Sequence, residues 1–251
     1  MLEVKELSCG YGNETIVKNV SFSVNDGEIL AITGPNGCGK TTLLRALCGI
    51  IPYKEGSALI DGKEIRSMSR EELSMNAALL SQTGAGGEYS DFTVRETVAL
   101  GRYAKSKGFG SYKADEAAAE EYMKKTDTLR IADSIITELS GGQLQRVLLA
   151  RAFAQEPKII FLDEPANHLD LKRQIELIEM LKEWSKSGKS VVGVFHDLNL
   201  AAELSDRIMV MNEGRTEILD SSENVCRSEK LNEIYGFDIR AYMQKTLKKW
   251  G

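Results

Sequence analysis

The chain has 251 residues, 42% hydrophobic and 27% charged, with 32 basic against 37 acidic side chains and a formal net charge of −5. This balance fits a globular protein of one large domain or a domain with an insert; it excludes dominant disorder and argues against a nonspecific nucleic-acid binder. No apolar run approaches the about 20 residues of a membrane-spanning helix, the scattered Cys9, Cys38, Cys48 and Cys226 form no C-x-x-C pair, and the alternating start Met1-Leu2-Glu3-Val4 is unlike a secretory leader, so a reducing, cytoplasmic setting without structural zinc is expected.

Residues 15–24 alternate apolar and polar through Val20, Phe22 and Val24, break at Asp26-Gly27 and resume over residues 28–32, which predicts two strands around a tight turn. Next comes Gly34-Pro35-Asn36-Gly37-Cys38-Gly39-Lys40-Thr41-Thr42, then Leu43, Leu44 and Leu47 at helical spacing and Gly49 as a stop. The spacing predicts a strand, a glycine-rich loop and a helix. A second hairpin is expected where residues 58–60 and 63–65 flank Asp61-Gly62, and Thr83 to Gly87 reads as a connector. From Thr93 to Gln155 the pattern is almost wholly helical, including the Ala/Glu-rich run Ala114 to Lys125.

Strand-like runs return at residues 158–162, 190–195 and 207–210; the first two flank a helix whose predicted buried face is Leu171, Ile175, Ile178 and Leu181. The tail from Cys226 to Gly251 reads as a solvated terminal helix. The expected fold class is therefore α/β, with a core over 1–83 and 156–225, a helical insert over 84–155 and a tail over 226–251.

Three segments carry chemistry. Gly34 to Thr41 fits G-x-x-x-x-G-K-[ST] between a strand and a helix: glycines turn backbone amides toward one anion, the helix terminus adds its dipole, Lys40 reaches outer phosphates and Thr41 offers a hydroxyl to Mg²⁺. The apolar strand ending at Asp163-Glu164 places two carboxylates at the rim where open α/β sheets bind ligands; Asp163 suits the Mg²⁺ shell and Glu164 the acceptance of a proton from attacking water. Ser140-Gly141-Gly142-Gln143, after Leu139, forms a capping box that opens a long helix and bares amides at its positive end. A thiol at Cys38, beside Lys40 in an amide nest, is expected to ionise easily and react readily.

The string Leu139-Ser140-Gly141-Gly142-Gln143 resembles the signature of ATP-binding cassette (ABC) ATPases, and the other motifs fall in that family's order across nearly the whole chain. The resemblance implies a P-loop core with an antiparallel β subdomain and an inserted all-helical subdomain, binding ATP and Mg²⁺. It implies that Tyr11 stacks on adenine, that Gln82 senses Mg²⁺ and water, and that His196 contacts the γ-phosphate and orients water. Asp170, in the loop Ala166-Asn167-His168-Leu169-Asp170, matches the segment that crosses the dimer interface; it is equally placed to cap the helix that follows. In the family the signature helix of one subunit closes over ATP in the loop of the other, which implies a homodimer. It also implies a separate transmembrane permease, with an extracytoplasmic substrate-binding protein acting indirectly, and a place at the cytoplasmic face of the membrane.

Residues 92–103 and the His196-Asp197-Leu198-Asn199 segment resemble the importer branch for iron chelates, haem and cobalamin. Ser81, Ala104-Lys105, Leu144 and Ala166 depart from that branch's common residues, and none of these departures removes a catalytic group. A soluble ABC ATPase acting on a protein scaffold, such as one for iron–sulfur assembly, has similar length and stays open as the alternative.

Overall fold

The structure, a computed structural model, describes residues 1–81, 91–106, 112–167 and 169–248. Gln82, the connector Thr83 to Gly87, and His168 lie outside the described residues. Strand β1 (Leu2–Cys9) is followed by β2 (Val17–Val24), which alternates exposed and buried side chains, whereas β3 (Ile29–Thr33) is buried at every position. That difference sends β2 and β3 to different layers. An alternating strand suits an antiparallel sheet with one wetted face; a wholly apolar strand suits a parallel sheet covered on both sides. The turn at Asp26-Gly27 is present, yet the expected hairpin is not: β2 pairs antiparallel with β1, and β3 runs parallel to strands far downstream.

Helix α1 (Lys40–Leu47) follows the glycine-rich loop and stops at Gly49, which takes the left-handed φ of 67°. Strands β4 (Tyr53–Ile60) and β5 (Lys63–Glu64) form the second hairpin, with Ile65 in a short 3₁₀ turn instead of the strand. Helix α2 (Arg70–Asn76) leads into β6 (Ala77–Leu80). The helical stretch then supplies α3 (Val94–Ala99), α4 (Tyr112–Lys125) and α5 (Gly141–Ala154), joined in part by 3₁₀ turns. After it come β7 (Ile159–Asp163), α6 (Leu171–Lys186), β8 (Ser190–Val194), α7 (Leu198–Leu204), β9 (Arg207–Asn212) and β10 (Arg215–Ser221). The chain closes with α8 (Ser222–Arg227), α9 (Glu229–Tyr235) and α10 (Ile239–Leu247).

Among the described residues, β2-β1-β4-β5 form an antiparallel sheet, and β10-β9-β3-β8-β7-β6 form a second sheet whose strands are parallel except for the edge strand β10. Successive residues of each parallel strand serve opposite cores. Leu30, Ile32, Phe161 and Met209 join the cluster shared with the antiparallel sheet and α1; Ala31, Ile160, Leu162 and Val210 join the cluster under the helices.

The buried face of α6 lies further along than the sequence pattern predicts. Leu171 and Ile175 are 73% and 47% exposed, and burial begins at Leu177 and Ile178 and continues through Leu181 and Trp184. The reason is the partner: the indole of Trp184 packs on Phe153 of α5 with ring centroids 4.8 Å apart, so the end of α6, and not its start, meets apolar surface. The tail also differs from a single solvated helix. It forms three short helices, and Val225, Leu231 and Ile239 bury in the helical-side core.

One carboxylate ties the helical stretch to α6. Asp127, in the left-handed region at φ 53°, accepts from Arg130 at 2.7 Å, from Arg146 of α5 at 3.2 Å and from Arg173 of α6 at 3.1 Å. Arg146 is the least exposed of these guanidiniums, whereas Arg130 is well solvated, so removing the carboxylate chiefly leaves Arg146 beside like charges that water screens only in part. Asp127→Asn, which keeps shape and tolerance of that φ, should lower unfolding free energy by about 0.5–1 kcal/mol in urea denaturation; an unchanged midpoint would show that the arginines are satisfied without it.

Candidate functional site

The glycine-rich loop leaves β3 at Gly34 and enters α1 at Lys40. Gly34 holds φ 141° with its α-carbon against β9: a Cβ there would lie 2.0 Å from the Met211 carbonyl oxygen. Gly39 takes φ 104° as the residue preceding the first turn of α1, where side-chain-bearing residues are disfavoured. Between them Pro35 is half-buried, Asn36 and Gly37 are exposed, and Cys38 is buried, its carbonyl accepting from Gly214 at 3.1 Å. The turn therefore presents its crest to solvent while its flanks are clamped by the sheet. The first-turn amides of α1, over Lys40, Thr41 and Thr42, have no intrahelical acceptor by the geometry of any helix start.

Lys40 is only 6% exposed, and its ammonium donates to the carbonyl oxygens of Gly34 at 2.8 Å and Pro35 at 2.9 Å. Among the described residues no carboxylate forms a salt bridge with it. A buried ammonium held by neutral acceptors alone is a standing attraction for an anion, which is what a phosphate supplies. The Cys38 thiol lies 3.9 Å from the same ammonium, yet the expectation of a readily ionised thiol is overturned: burial pushes it above its ordinary value, and Lys40 only partly opposes that.

Two parallel strands, β7 and β8, deliver the remaining groups to the same edge. At the end of β7, Asp163 is 7% exposed and accepts from the Thr41 hydroxyl at 3.0 Å. Burial raises the Asp163 carboxyl above its ordinary value, and the Thr41 hydrogen bond works against that rise. The hydroxyl and carboxylate oxygens suit a hard cation, and among the described residues no cluster of three or more His, Cys, Asp or Glu side chains exists that could bind one alone. A Mg²⁺ ion here would take most of its shell from phosphate and water oxygens, as is usual for that ion.

Glu164 follows in the left-handed region at φ 55°, a conformation that costs a non-glycine residue about 1–3 kcal/mol and is kept where the surroundings enforce it. Its amide donates to the Val194 carbonyl of β8 at 3.2 Å, which fixes the turn. Its carboxylate meets His196 Nε2 on one oxygen and accepts from Asn167 Nδ2 on the other. A cavity of about 120 Å³ lies beside this pair, lined by Glu164, Asn167, Gln174 and His196 among others, roomy enough for ordered water.

The capping box at α5 forms as read: Ser140 N donates to Gln143 Oε1 at 2.9 Å and Gln143 N to Ser140 Oγ at 3.4 Å, with Gly141 exposed and Gly142 half-buried behind them. These bonds are internal to the box, and no side-chain hydrogen bond joins Ser140 or Gln143 to the Lys40 cluster among the described residues. Asp170 caps α6 by accepting from Arg173 N at 2.9 Å, the local role open to it from sequence. Tyr11 is 43% exposed and its hydroxyl accepts from Arg45 of α1 at 3.0 Å, which leaves a ring beside the helix that begins at Lys40.

Two positioning contacts escape the motif reading. Buried Gln145 of α5 donates to the Pro165 carbonyl at 3.0 Å, joining the signature helix to the segment after Glu164; the only sequence signal is an amide on the apolar face of a helix. Asn167 as a partner of the Glu164 carboxylate is likewise a product of the turn at Glu164, which no periodicity announces.

A family model described as ABC transporter matches residues 17–167, more than half of the chain. The chain belongs to the ABC transporter family. It is 39% identical over 251 residues to an uncharacterised ABC transporter ATP-binding protein, YvrA, of Bacillus subtilis, covering 99% of this chain but only 56% of that relative. It is 36% identical to the ferric enterobactin transport ATP-binding protein FepC of Escherichia coli, covering 94% of this chain and 87% of FepC. Among solved structures, the dimeric form of MJ0796, a bacterial ABC transporter cassette, superposes with a TM-score of 0.81 at 31% identity over 88% of this chain and 99% of that one. MJ0796 has also been solved as a dimer in a post-hydrolysis state with ADP and Pi.

Because burial raises the Cys38 thiol, its alkylation by iodoacetamide at pH 7, followed by peptide mass spectrometry, should be slower than that of glutathione and should accelerate as pH rises through 9, the ordinary thiol value. Labelling faster than glutathione at pH 7 would restore the opposite view.

Proposed function

We propose that this chain is the ATP-hydrolysing subunit of an ABC importer, acting as a homodimer at the cytoplasmic face of a membrane on a separate permease. The observation that carries the reading is the meeting, at the ends of β3, β7 and β8, of a buried Lys40 held by loop carbonyls, the Thr41–Asp163 pair and the Glu164–His196 pair. Mg-ATP bound at this edge supplies the phosphoanhydride to be cleaved and the cation that offsets its charge.

The chain's own groups then divide the work. Lys40 and the amides over Gly37 to Thr42 neutralise and orient phosphate oxygens, with Thr41 and Asp163 holding the cation. Glu164 accepts the proton of the attacking water, and its strained turn and Asn167 keep the carboxylate aimed. His196 Nε2 orients that carboxylate and faces the terminal phosphate. Tyr11 offers a ring to the base. Ser140-Gly141-Gly142-Gln143 and Asp170 act on the other subunit's nucleotide, a division that the likeness to the dimeric MJ0796 cassette supports.

The likeness to dimeric MJ0796 supports the two-site assembly. The relative named for ferric enterobactin transport supports an iron-chelate, haem or cobalamin cargo over action on a soluble scaffold, with a substrate-binding protein reaching this subunit only through the permease. Among the described residues no helix is long and apolar enough to cross a membrane, which accords with a permease on another chain.

Glu164→Gln should slow Mg-ATP hydrolysis about 10²- to 10⁴-fold while ATP still binds and the dimer accumulates on size exclusion with light scattering; near-normal turnover would remove Glu164 from the proton-transfer role. Lys40→Ala should weaken equilibrium ATP binding at least tenfold, about 1.4 kcal/mol or more, and unchanged binding would sink the phosphate role. Co-expression with a candidate iron-chelate permease should carry the chain into the membrane fraction, and a chain that stays soluble with every such permease would favour the scaffold alternative.

A further inference from the structure

The terminal helices reach the end of β3, where the glycine-rich loop begins. Helix α9 ends at Tyr235, and Gly236 turns the chain toward α10 with a left-handed φ of 75°. Leu231 and Ile239 anchor either side of that turn in the helical-side core, and the Tyr235 ring packs on the same cluster. Its hydroxyl lies 2.9 Å from Thr33 Oγ1, 202 residues away in sequence. Thr33 has no exposed surface and is the last residue of β3. Burial pushes the phenol above its ordinary value, while hydrogen bonds with Thr33 and with the Gly34 backbone oppose the rise.

Gly34 is therefore confined where it stands: its α-carbon lies against the Met211 carbonyl of β9, and the residue before it, Thr33, meets the Tyr235 hydroxyl. The tail also reaches the neighbouring strand end. Met243 of α10 accepts from Asn199 Nδ2 of α7 at 3.7 Å, and α7 opens directly after His196-Asp197.

We propose that Tyr235 is a positioning residue for nucleotide binding: its hydroxyl fixes the Thr33–Gly34 junction, so that the tail helices set the geometry of the loop carrying Lys40. The inference rests on the loop being the ATP site. A loop whose amides must converge on one anion binds more weakly if its first residue has to be ordered on binding, and a contact made during folding removes that cost. Loss of the hydroxyl should then appear in affinity and leave the chemical step alone, because Tyr235 touches neither Glu164 nor His196 in the described contacts.

The test uses the full chain with Tyr235→Phe, Thr33→Val and the double variant. Equilibrium binding of a non-hydrolysable ATP analogue and steady-state ATPase kinetics are measured beside thermal melting. Tyr235→Phe should raise Kd and KM about three- to tenfold, the scale of one hydrogen bond, with kcat within twofold. Thr33→Val should do the same, and the double variant should be no worse than the larger single effect, as expected for two partners in one bond. A merely structural role would lower the melting temperature and the yield of active protein with Kd unchanged. Unchanged Kd in Tyr235→Phe, or effects that add in the double variant, would overturn the proposal. A wild-type chain that binds no ATP analogue would instead overturn the nucleotide reading beneath it.

Discussion

A lysine ammonium buried among carbonyl oxygens, with no salt bridge to a carboxylate among the described residues, is the constraint on which the rest of this structure depends. Left alone, such a charge costs several kcal/mol of desolvation. The fold accommodates Lys40 by placing it at the start of α1 where the loop's own carbonyls from Gly34 and Pro35 can reach it. The first of those carbonyls belongs to Gly34, which lies against Met211 in a conformation and a space that no Cβ permits. The loop is thus a cation held in readiness by backbone, with the anion to be supplied from outside.

The parallel sheet turns that local arrangement into a site. Strands buried on both faces must run side by side through the middle of the protein, and their carboxyl ends open on one edge. Asp163, Glu164 and His196 reach that edge from β7 and β8, while Thr41 reaches it from α1. The pairing Thr41–Asp163 crosses 122 residues of sequence, and the contact of His196 with Glu164 joins the ends of two strands that pair directly in the sheet and are connected in sequence by the crossover helix α6. The left-handed turn at Glu164 is held by the Val194 carbonyl, so strain at the reactive carboxylate is maintained by the sheet itself.

The helical stretch is fastened to the same edge from the opposite core. Gln145 reaches the Pro165 carbonyl, and Asp127 gathers arginines from α5 and α6. The helix that opens with Ser140 is therefore connected to the segment after Glu164 by hydrogen bonds and ion pairs, and not by apolar packing alone. Polar fastenings of this kind allow two elements to keep a fixed relation while remaining separable in free energy terms of a few kcal/mol, which suits a nucleotide-driven machine.

The sequence by itself determined the loop, the two carboxylates, the signature cap and the alternation of helices with apolar strands, because each is written in residues close together in the chain. Glycines with a lysine and a threonine, an apolar run ending in Asp163-Glu164, and Ser140 with Gln143 three residues on all announce their local geometry. The tertiary structure decided what distance in the chain conceals. It separated β2 and β3 into different sheets, since a tight turn is compatible with either outcome and only the full burial of β3 selects the parallel layer. It moved the buried face of α6 toward Trp184, because burial follows the partner surface offered by Phe153 and not the helical period alone. It raised the Cys38 thiol by burial where the neighbouring lysine argued for the reverse, and it brought the Tyr235 hydroxyl to Thr33, the residue before the glycine-rich loop. Periodicity and motif spacing record which groups are near in sequence; which groups lose water, and against whom, is settled only when the sheet closes over them.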